Sequence, residues 1–434
     1  MCGFAITKEG VNNSIAHRGN TTTEETIGPY QVLFHSLPLS SNNTGVQQPV
    51  KVGRYLLVFN GEIFNYKDLH KGNPASDVHY LIWLLKKSKT IEAFYKESVK
   101  WDGFWSIAIV TDSNCYFFTD WLGKKQLYYS KVGIASEIKA VLPSTYWLMD
   151  YQPKQFSTMK TPFDNVHRAI PGQLYEYDFR YQDMANYVMH QQYWILEPYN
   201  DLYQVIDRSI KRRLENRLDG ITLLLSGGLD SNIVLHHIKH LQPEILTIEN
   251  GESHVVGQVM DEYDLNAKFI PDQYDDSDVS VAMWHYEHPL DYGSLIPNYI
   301  LFQEATNSMV LTGDGADELF GGYRRAREKD TFMYDIMELQ YYHNIRIDRM
   351  SMAFTVEARS PLMSMPLARI AKRLNRAGRI NKSILRQIYK DKLPTAVTTQ
   401  EKKPLRLNND KQQNIDAAKE AFIKVWHQTK ESKQ

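Results

Sequence analysis

Two stretches of this sequence combine residue types and spacing that can do chemistry. In Leu223-Leu224-Leu225-Ser226-Gly227-Gly228-Leu229-Asp230-Ser231 an apolar strand runs into two glycines and then a helix start. Glycines let backbone N–H groups approach a phosphate closely, and a helix N-terminus favours anions. Ser226 and Ser231 add hydroxyl donors, whereas Asp230 repels phosphate unless a cation intervenes, which implies Mg2+. The pattern is neither that of a P-loop kinase nor a dinucleotide fingerprint. At the other end of the chain, Cys2 directly follows the initiator Met. With Met1 removed, residue 2 carries both a thiol and a free α-amine. An α-amine has a reference pKa near ~8 and can accept the thiol proton, directly or through water. A small buried cysteine is the alternative, and position by itself favours that reading.

These residues need elements to hold them. The first part of the chain reads as short strands at residues 4–7, 31–37, 55–59, 104–110 and 116–119, rich in β-branched and aromatic residues and separated by turns. Residues 77–87 read as a helix, with Val78, Leu81, Ile82, Leu84 and Leu85 as its apolar stripe. The pattern changes around residues 190–200. A basic amphipathic helix is expected over 203–218, a strand over 221–225 and a helix over 231–240. Strands follow at 244–248 and 308–311, the latter leading into a second glycine loop. Strands alternating with helices predict a parallel sheet. From about Arg324 the pattern is mostly helical, and the polar tail after Asn408 reads as ending in a loosely held helix.

Bulk properties bound the function. A chain of 434 residues predicts two to three domains. Fifty basic residues face 51 acidic ones, so no global field points to nucleic acid or a membrane. No apolar run approaches the ~20 residues that span a bilayer, and no signal peptide is legible. Two cysteines, Cys2 and Cys115, exclude a disulfide framework and suit a reducing cytoplasm. No Cys/His cluster has structural zinc spacing.

Around Cys2, the segments His17-Arg18-Gly19, Gln48-Pro49, Asn60-Gly61-Glu62-Ile63-Phe64-Asn65, Ser76-Asp77, Phe104, Asp120 and Leu122-Gly123 occur in an order that resembles the glutaminase domain of class II glutamine amidotransferases. The resemblance implies an α+β N-terminal-nucleophile hydrolase fold, an αββα sandwich. It makes Cys2 the nucleophile, with the Asn60 side chain and the Gly61 N–H as the oxyanion hole. Asn60, Glu62 and Asp77 would bind glutamine, the two carboxylates holding its α-amine. Asn-Gly is also a common hairpin turn, and both uses of the pair stay open. One position departs from the family. Its arginine for the glutamine carboxylate is Leu37 in His35-Ser36-Leu37-Pro38-Leu39, and Arg18 and Arg54 are the candidates to replace it.

The 223–231 run resembles the loop of ATP pyrophosphatases, which cleave ATP between the α and β phosphates. Thr312-Gly313-Asp314-Gly315-Ala316-Asp317-Glu318-Leu319-Phe320-Gly321-Gly322-Tyr323 is similar to a segment of asparagine synthetases, with Asp314 in place of that family's glutamate. Glu287, Pro289 and Asp291 resemble a segment beside its acceptor pocket. Asp348-Arg349-Met350 and Glu357-Ala358-Arg359-Ser360-Pro361-Leu362 resemble further segments, and Lys382 matches a lysine that stabilises charge on the transferring phosphates. The resemblance covers roughly residues 2–405. It implies a glutaminase domain over 1–195 and an α/β parallel-sheet ATP pyrophosphatase domain over 196–434. ATP would be held by Leu224, Ser226, Gly227, Gly228, Leu229, Asp230, Ser231, Ile248, Thr312, Gly313 and Asp314, and Mg2+ by Asp230 and Asp317. Lys382, Cys2, Asn60 and Gly61 would be catalytic.

The implied activity is a ligase reaction: asparagine from aspartate through β-aspartyl-AMP, with glutamine as nitrogen donor and AMP, pyrophosphate and glutamate as products. Ammonia would cross an internal passage. Family precedent makes a homodimer a reasonable expectation. Three alternatives stay open: a related enzyme amidating another carboxylate, an enzyme using free ammonia only, and an inactive nucleotide-binding regulator. β-Lactam synthetases share the architecture but generally lack the nucleophilic cysteine, so Cys2 argues against them.

Overall fold

The computed structural model describes residues 2–8, 13–39, 46–149, 160–178, 186–190, 201–215, 219–290, 292–399 and 411–431. The chain divides into two compact units. The first comprises Met1–Tyr193 together with Tyr286–Pro289 and Gln340–Thr355; the second holds Trp194–His285, Leu290–Leu339 and Val356–Gln434. The first unit therefore draws on two short segments from late in the chain. Among the described residues, no helix is long and apolar enough to cross a membrane.

The first unit is built on two six-stranded antiparallel sheets. One has the order β10-β8-β9-β1-β3-β2, from β1 (Gly3–Thr7), β2 (Thr21–Ile27), β3 (Tyr30–Ser36), β8 (Tyr128–Ser130), β9 (Gly133–Ala135) and β10 (His167–Arg168). The other has the order β12-β11-β7-β6-β5-β4, from β4 (Val50–Val52), β5 (Tyr55–Ile63), β6 (Gly103–Val110), β7 (Asn114–Thr119), β11 (Gln173–Asp178) and β12 (Asn186–His190). The period of two along a strand decides the layers. Leu56, Val58, Ala108 and Val110 join Phe4, Ile6 and Phe34 in the core between the sheets. Leu57, Phe59, Ile107 and Ile109 face the other way and pack on Leu81, Leu84 and Phe94 of the helices Asp77–Lys87 and Ile91–Glu97. Burying each such side chain contributes about 1.5–3 kcal/mol. The helix Asn344–Ala353 covers the far face of the first sheet, where the Arg349 guanidinium lies 5.2 Å over the Tyr128 ring. The result is an αββα sandwich whose last layer comes from a distant segment.

The second unit carries a parallel sheet of order β15-β14-β13-β16-β17: β13 (Thr222–Leu224), β14 (Glu244–Ile248), β15 (Lys268–Ile270), β16 (Met309–Leu311) and β17 (Glu357–Arg359). The chain runs outward from β13 through β14 to β15, then returns to place β16 on the other side of β13. This reversal makes a crevice beyond the carboxyl ends of β13 and β16, where open α/β sheets bind ligands.

The structure departs from the sequence expectations at particular places. The strand expected to stop at Phe59 runs on to Ile63, so Asn60-Gly61 is not a hairpin turn: Gly61 pairs with Trp105 inside the ladder. A Cβ there would meet the Phe104 carbonyl oxygen at 2.1 Å, and the φ of +144° excludes most other residues. The helix expected from Ser231 starts at Leu229. The terminal helix, Lys411–Glu431, is not loosely held, because Trp426 is fully buried and stacks on Trp284 at 4.6 Å. The stretch 196–200, where the second domain was expected to begin, and Asp291 lie outside the described residues.

Candidate functional site

In the second unit, the 226–231 loop leaves the end of β13 and is tied to itself. The Ser231 hydroxyl accepts from the Ser226 N–H at 3.1 Å, and the Gly228 N–H donates to the Ser226 hydroxyl at 3.2 Å. The fully buried Asn232 amide donates to the Ser226 and Gly228 carbonyls at 2.9 and 2.8 Å. Asn232 was not singled out from the sequence; a polar side chain one position into an apolar helix was the available signal. The helix Leu229–Ile238 begins at Gly228 with no side-chain cap. Its first-turn N–H groups are thus not met by a capping side chain, which is the arrangement that receives an anion. Leu224 is on β13 and Ile248 ends β14, one strand over, with its side chain buried.

The loop after β16 comes up against this helix start. A Cβ on Gly313 would lie 2.5 Å from the Ser231 nitrogen, so only glycine fits. Thr312 is buried, donating its N–H to the Arg359 carbonyl at 3.0 Å, and its hydroxyl is 2.9 Å from that of Ser360. Asp314 is half-buried.

Lys382 joins the two loops. Its Nζ lies 2.5 Å from Asp230 Oδ2 and 2.6 Å from Asp317 Oδ1. Burial acts to lower the Lys382 pKa, but the Asp230 and Asp317 carboxylates outweigh it and the ammonium is held above its ordinary range. Its backbone is unusual: Asn381 and Lys382 both adopt left-handed conformations, at φ +54° and +56°. Two such residues cost about 1–3 kcal/mol each. They are held by N–H bonds to the Gly321 and Phe320 carbonyls at 2.9 and 3.0 Å. Gly322 closes the cluster, since a Cβ there would meet Asp317 Oδ1 at 1.8 Å and Lys382 Cε at 2.4 Å. Two carboxylates already converging on one cation are hard oxygen donors that fit a divalent ion sharing its remaining positions with phosphate and water.

In the first unit, Cys2 is a half-buried cysteine outside any disulfide, and its backbone nitrogen donates to Asn60 Oδ1 at 3.2 Å. Asn60 itself is fully buried, and its Nδ2 has no hydrogen-bond partner among the described residues. A buried N–H left unpaired costs about 1–3 kcal/mol, so a site that keeps one is prepared for an acceptor. Gly61 and Glu62 follow on the same strand. Asp77 opens the helix Asp77–Lys87, accepting from the Ile63 N–H at 3.1 Å and the Val78 N–H at 2.8 Å. Its carboxylate thereby ties the helix to the end of β5. Gln48 spans the Phe59 backbone in both directions, at 3.0 and 2.7 Å. Cys115 is fully buried, and burial pushes its thiol pKa up, which leaves it inert.

Neither arginine considered for the Leu37 vacancy is placed there. Arg18 is 1% exposed and bonds Glu137 at 2.7 Å and both oxygens of Asp348 at 3.1–3.3 Å. Arg54 is exposed at the β4–β5 turn, beside Tyr55 and about 17–20 Å along the strand from Asn60. Leu37 packs with Leu39, Phe64, Phe104 and Met352. Glu287 lies in the first unit's buried charge cluster. Its carboxylate accepts from the Ile138 and Lys139 N–H groups at 2.9 and 2.8 Å and pairs with Arg349 at 3.2 Å.

Comparison with known proteins gives two family matches. The asparagine synthase model matches residues 201–334 and 327–433, and a glutamine amidotransferase domain model matches residues 6–194. The chain is 26% identical over 368 residues to asparagine synthetase [glutamine-hydrolyzing] 1 of Bacillus subtilis, covering 73% of this chain and 56% of that one. A putative asparagine synthetase [glutamine-hydrolyzing] 1 of Methanocaldococcus jannaschii is 26% identical over 395 residues, 80% of this chain and 70% of that one. Asparagine synthetase B [glutamine-hydrolyzing] of Escherichia coli is 22% identical over 443 residues, 89% and 76% respectively. The chain thus spans little more than half the length of the first of these relatives.

Proposed function

Because the chain belongs to the asparagine synthase family, we propose that it is a carbon–nitrogen ligase that makes asparagine from aspartate, ATP and the amide nitrogen of glutamine. The observation that carries the reading is the convergence of Lys382, Asp230 and Asp317 beside an uncapped helix start at the sheet's switch point.

In the second unit, the triphosphate would lie against the Ser226–Ser231 loop, its negative charge met by backbone N–H groups, the two serine hydroxyls and Lys382. Thr312, Gly313 and Asp314 would border it, with Leu224 and Ile248 beneath. The aspartate β-carboxylate oxygen attacks the α-phosphorus, the bond to the β-phosphate bridging oxygen breaks, and pyrophosphate leaves from β-aspartyl-AMP. Ammonia then attacks the acyl carbon and expels AMP. Lys382 sits where charge grows on the leaving pyrophosphate, and such a preplaced cation lowers the barrier. Asp230 and Asp317 would hold a Mg2+ ion, which neutralises phosphate charge when bound.

In the first unit, the Cys2 α-amine takes the thiol proton and the thiolate attacks the glutamine side-chain amide. Asn60 Nδ2 and the Gly61 N–H receive the developing oxyanion. Ammonia leaves, and water hydrolyses the thioester to glutamate. Glu62 and Asp77 match the positive charge of the glutamine α-amine.

The test is an assay of asparagine, AMP, pyrophosphate and glutamate with aspartate, ATP, Mg2+ and either glutamine or ammonium. All four products with glutamine, and the first three with ammonium, are expected. Cys2→Ala should abolish glutamine use and keep ammonium use. Activity with ammonium alone in the unaltered protein would sink the glutaminase half. ATP cleavage that requires a carboxylic acid other than aspartate would sink the choice of acceptor.

A further inference from the structure

Resting on the reading of the second unit as the ATP-cleaving half of a ligase, we propose that Tyr389 and His237 are positioning residues for Lys382, acting from the far ends of two helices. Asp230 and His237 lie seven residues apart in the helix Leu229–Ile238. Seven residues are about 20° short of two full turns, so both side chains leave the same face. Lys382 immediately precedes the helix Ser383–Tyr389, and Tyr389 ends it, again seven residues on. At one end Lys382 Nζ meets Asp230 Oδ2 at 2.5 Å; at the other the Tyr389 hydroxyl meets His237 Nε2 at 2.7 Å. Each contact joins residues 152 positions apart. The two helices therefore run in the same direction and in register, fastened at two points about 10 Å apart.

The far fastening is itself braced. His237 Nδ1 lies 3.1 Å from Asp207 Oδ1 on the helix Leu202–Leu214, and the His237 side chain is 3% exposed. Burial lowers the His237 pKa, so the ring is neutral at pH 7. A carboxylate only accepts, so the single ring proton sits on Nδ1, and Nε2 accepts from the Tyr389 hydroxyl. Tyr389 is fully buried, its ring 5.6 Å from that of Tyr203 and 5.9 Å from that of His236. Ring packing and the hydroxyl bond together fix where this helix ends.

Lys382 needs such a hold. Asn381 and Lys382 keep left-handed backbones, which persist only where the surroundings over-determine them. At the start of the helix, the Ser383 hydroxyl bonds the Ala377 and Gly378 carbonyls at 2.9 Å, and Arg386 Nε reaches back to the Asn381 carbonyl at 3.1 Å. These bonds tie the first turn to its own neighbours in the chain. The Tyr389–His237 bond instead refers the helix to the one that carries Asp230. A slide or rotation of the Ser383–Tyr389 helix would move the Lys382 ammonium against the phosphate loop, and a misplacement of ~1 Å is enough to slow chemistry.

The experiment measures AMP formation by the full chain with aspartate, ATP, Mg2+ and ammonium, and separately glutamate formation from glutamine. Tyr389→Phe keeps the ring and removes the hydroxyl. It should lower kcat for AMP about 3–10-fold, the size of one hydrogen bond, with KM for ATP and the glutamate rate within about twofold. His237→Asn, whose amide replaces Nδ1, should show the same loss. His237→Gln, whose amide reaches the place of Nε2 and keeps a partner for Tyr389, should recover most of the rate. With Lys382→Met as background, Tyr389→Phe should change the remaining rate less than about twofold, because the group it positions is gone. An unchanged kcat in Tyr389→Phe, or the same loss in the Lys382→Met background, overturns the assignment while leaving the ligase reading standing. No AMP from ATP in the unaltered protein overturns both.

Discussion

Two clusters of buried charge in this molecule use the same chemistry to opposite ends. In the first unit, Arg18, Lys125, Glu137, Glu287, Asp348 and Arg349 lie together, each at most 3% exposed. Arg18 and Lys125 both pair with Asp348, Arg18 and Arg349 with Glu137, and Arg349 with Glu287. The cluster fastens Gln340–Thr355 and Tyr286–Pro289 into the unit. In the second unit one lysine serves two carboxylates, and these stay partly open, at 19% for the Asp230 side chain and 16% for Asp317. The first cluster is closed on itself; the second lies beside the Ser226–Ser231 loop and its uncapped helix start. Burial, rather than the residue types, separates the two clusters.

The largest effect should come from breaking the closed cluster. Asp348→Ala removes the buried carboxylate that Arg18 and Lys125 share and should cost about 3–5 kcal/mol in urea unfolding. A loss below about 1 kcal/mol would mean that water reaches the cluster and that it does not fasten the late segments. Lys382→Met should behave the other way. AMP formation should fall about 10²–10³-fold, while the urea midpoint moves less than in Asp348→Ala. If the two variants exchange these signatures, the contrast between the clusters is wrong.

How much of this was legible in the sequence differs between the two. The Ser226–Ser231 loop stands out because strand, glycines and helix start are contiguous, and Lys382 carried a signal through its neighbouring motif. The left-handed backbone at Asn381 and Lys382 carried none, since neither residue is glycine. The closed cluster was illegible for a different reason: Arg18 and Asp348 are 330 residues apart, and nothing local marks either as a partner. The helix Asp77–Lys87 was readable from its apolar stripe and its Ser76 cap. The strand Glu357–Arg359 was not, being three residues long with two buried charges paired to each other. The extension of β5 through Gly61 was hidden because Asn-Gly also signals a turn.

A smaller effect concerns pH. Burial lowers the His35 pKa to about 4, from an ordinary value of 6.5. The folded protein then binds fewer protons than the unfolded chain between those values. The stability that goes with the neutral ring is complete above pH 6.5 and is lost as pH falls toward 4. His35→Asn should flatten the stability curve in that window, by at most about 1.4 kcal/mol per pH unit. Asp348 adds nothing there, because its three cations hold it far below the usual carboxylate range and its contribution is lost only in stronger acid. Urea midpoints at pH 7, 5.5 and 4.5 would show whether the curve bends where the histidine predicts. The smallest effect is expected at Arg54, exposed at the β4–β5 turn. Arg54→Ala should leave the glutamine KM within about twofold, since exposed side chains away from a site rarely matter. A larger rise would bring Arg54 back as a carboxylate partner.

In the proposed reaction aspartate attacks the α-phosphorus of ATP. Aspartate labelled with 18O in its β-carboxylate, incubated with the protein, ATP, Mg2+ and glutamine, tests it most directly by mass spectrometry of the products. One labelled oxygen is expected in each AMP and none in pyrophosphate. Label in inorganic phosphate with ADP as the nucleotide product, or AMP without label, would contradict it.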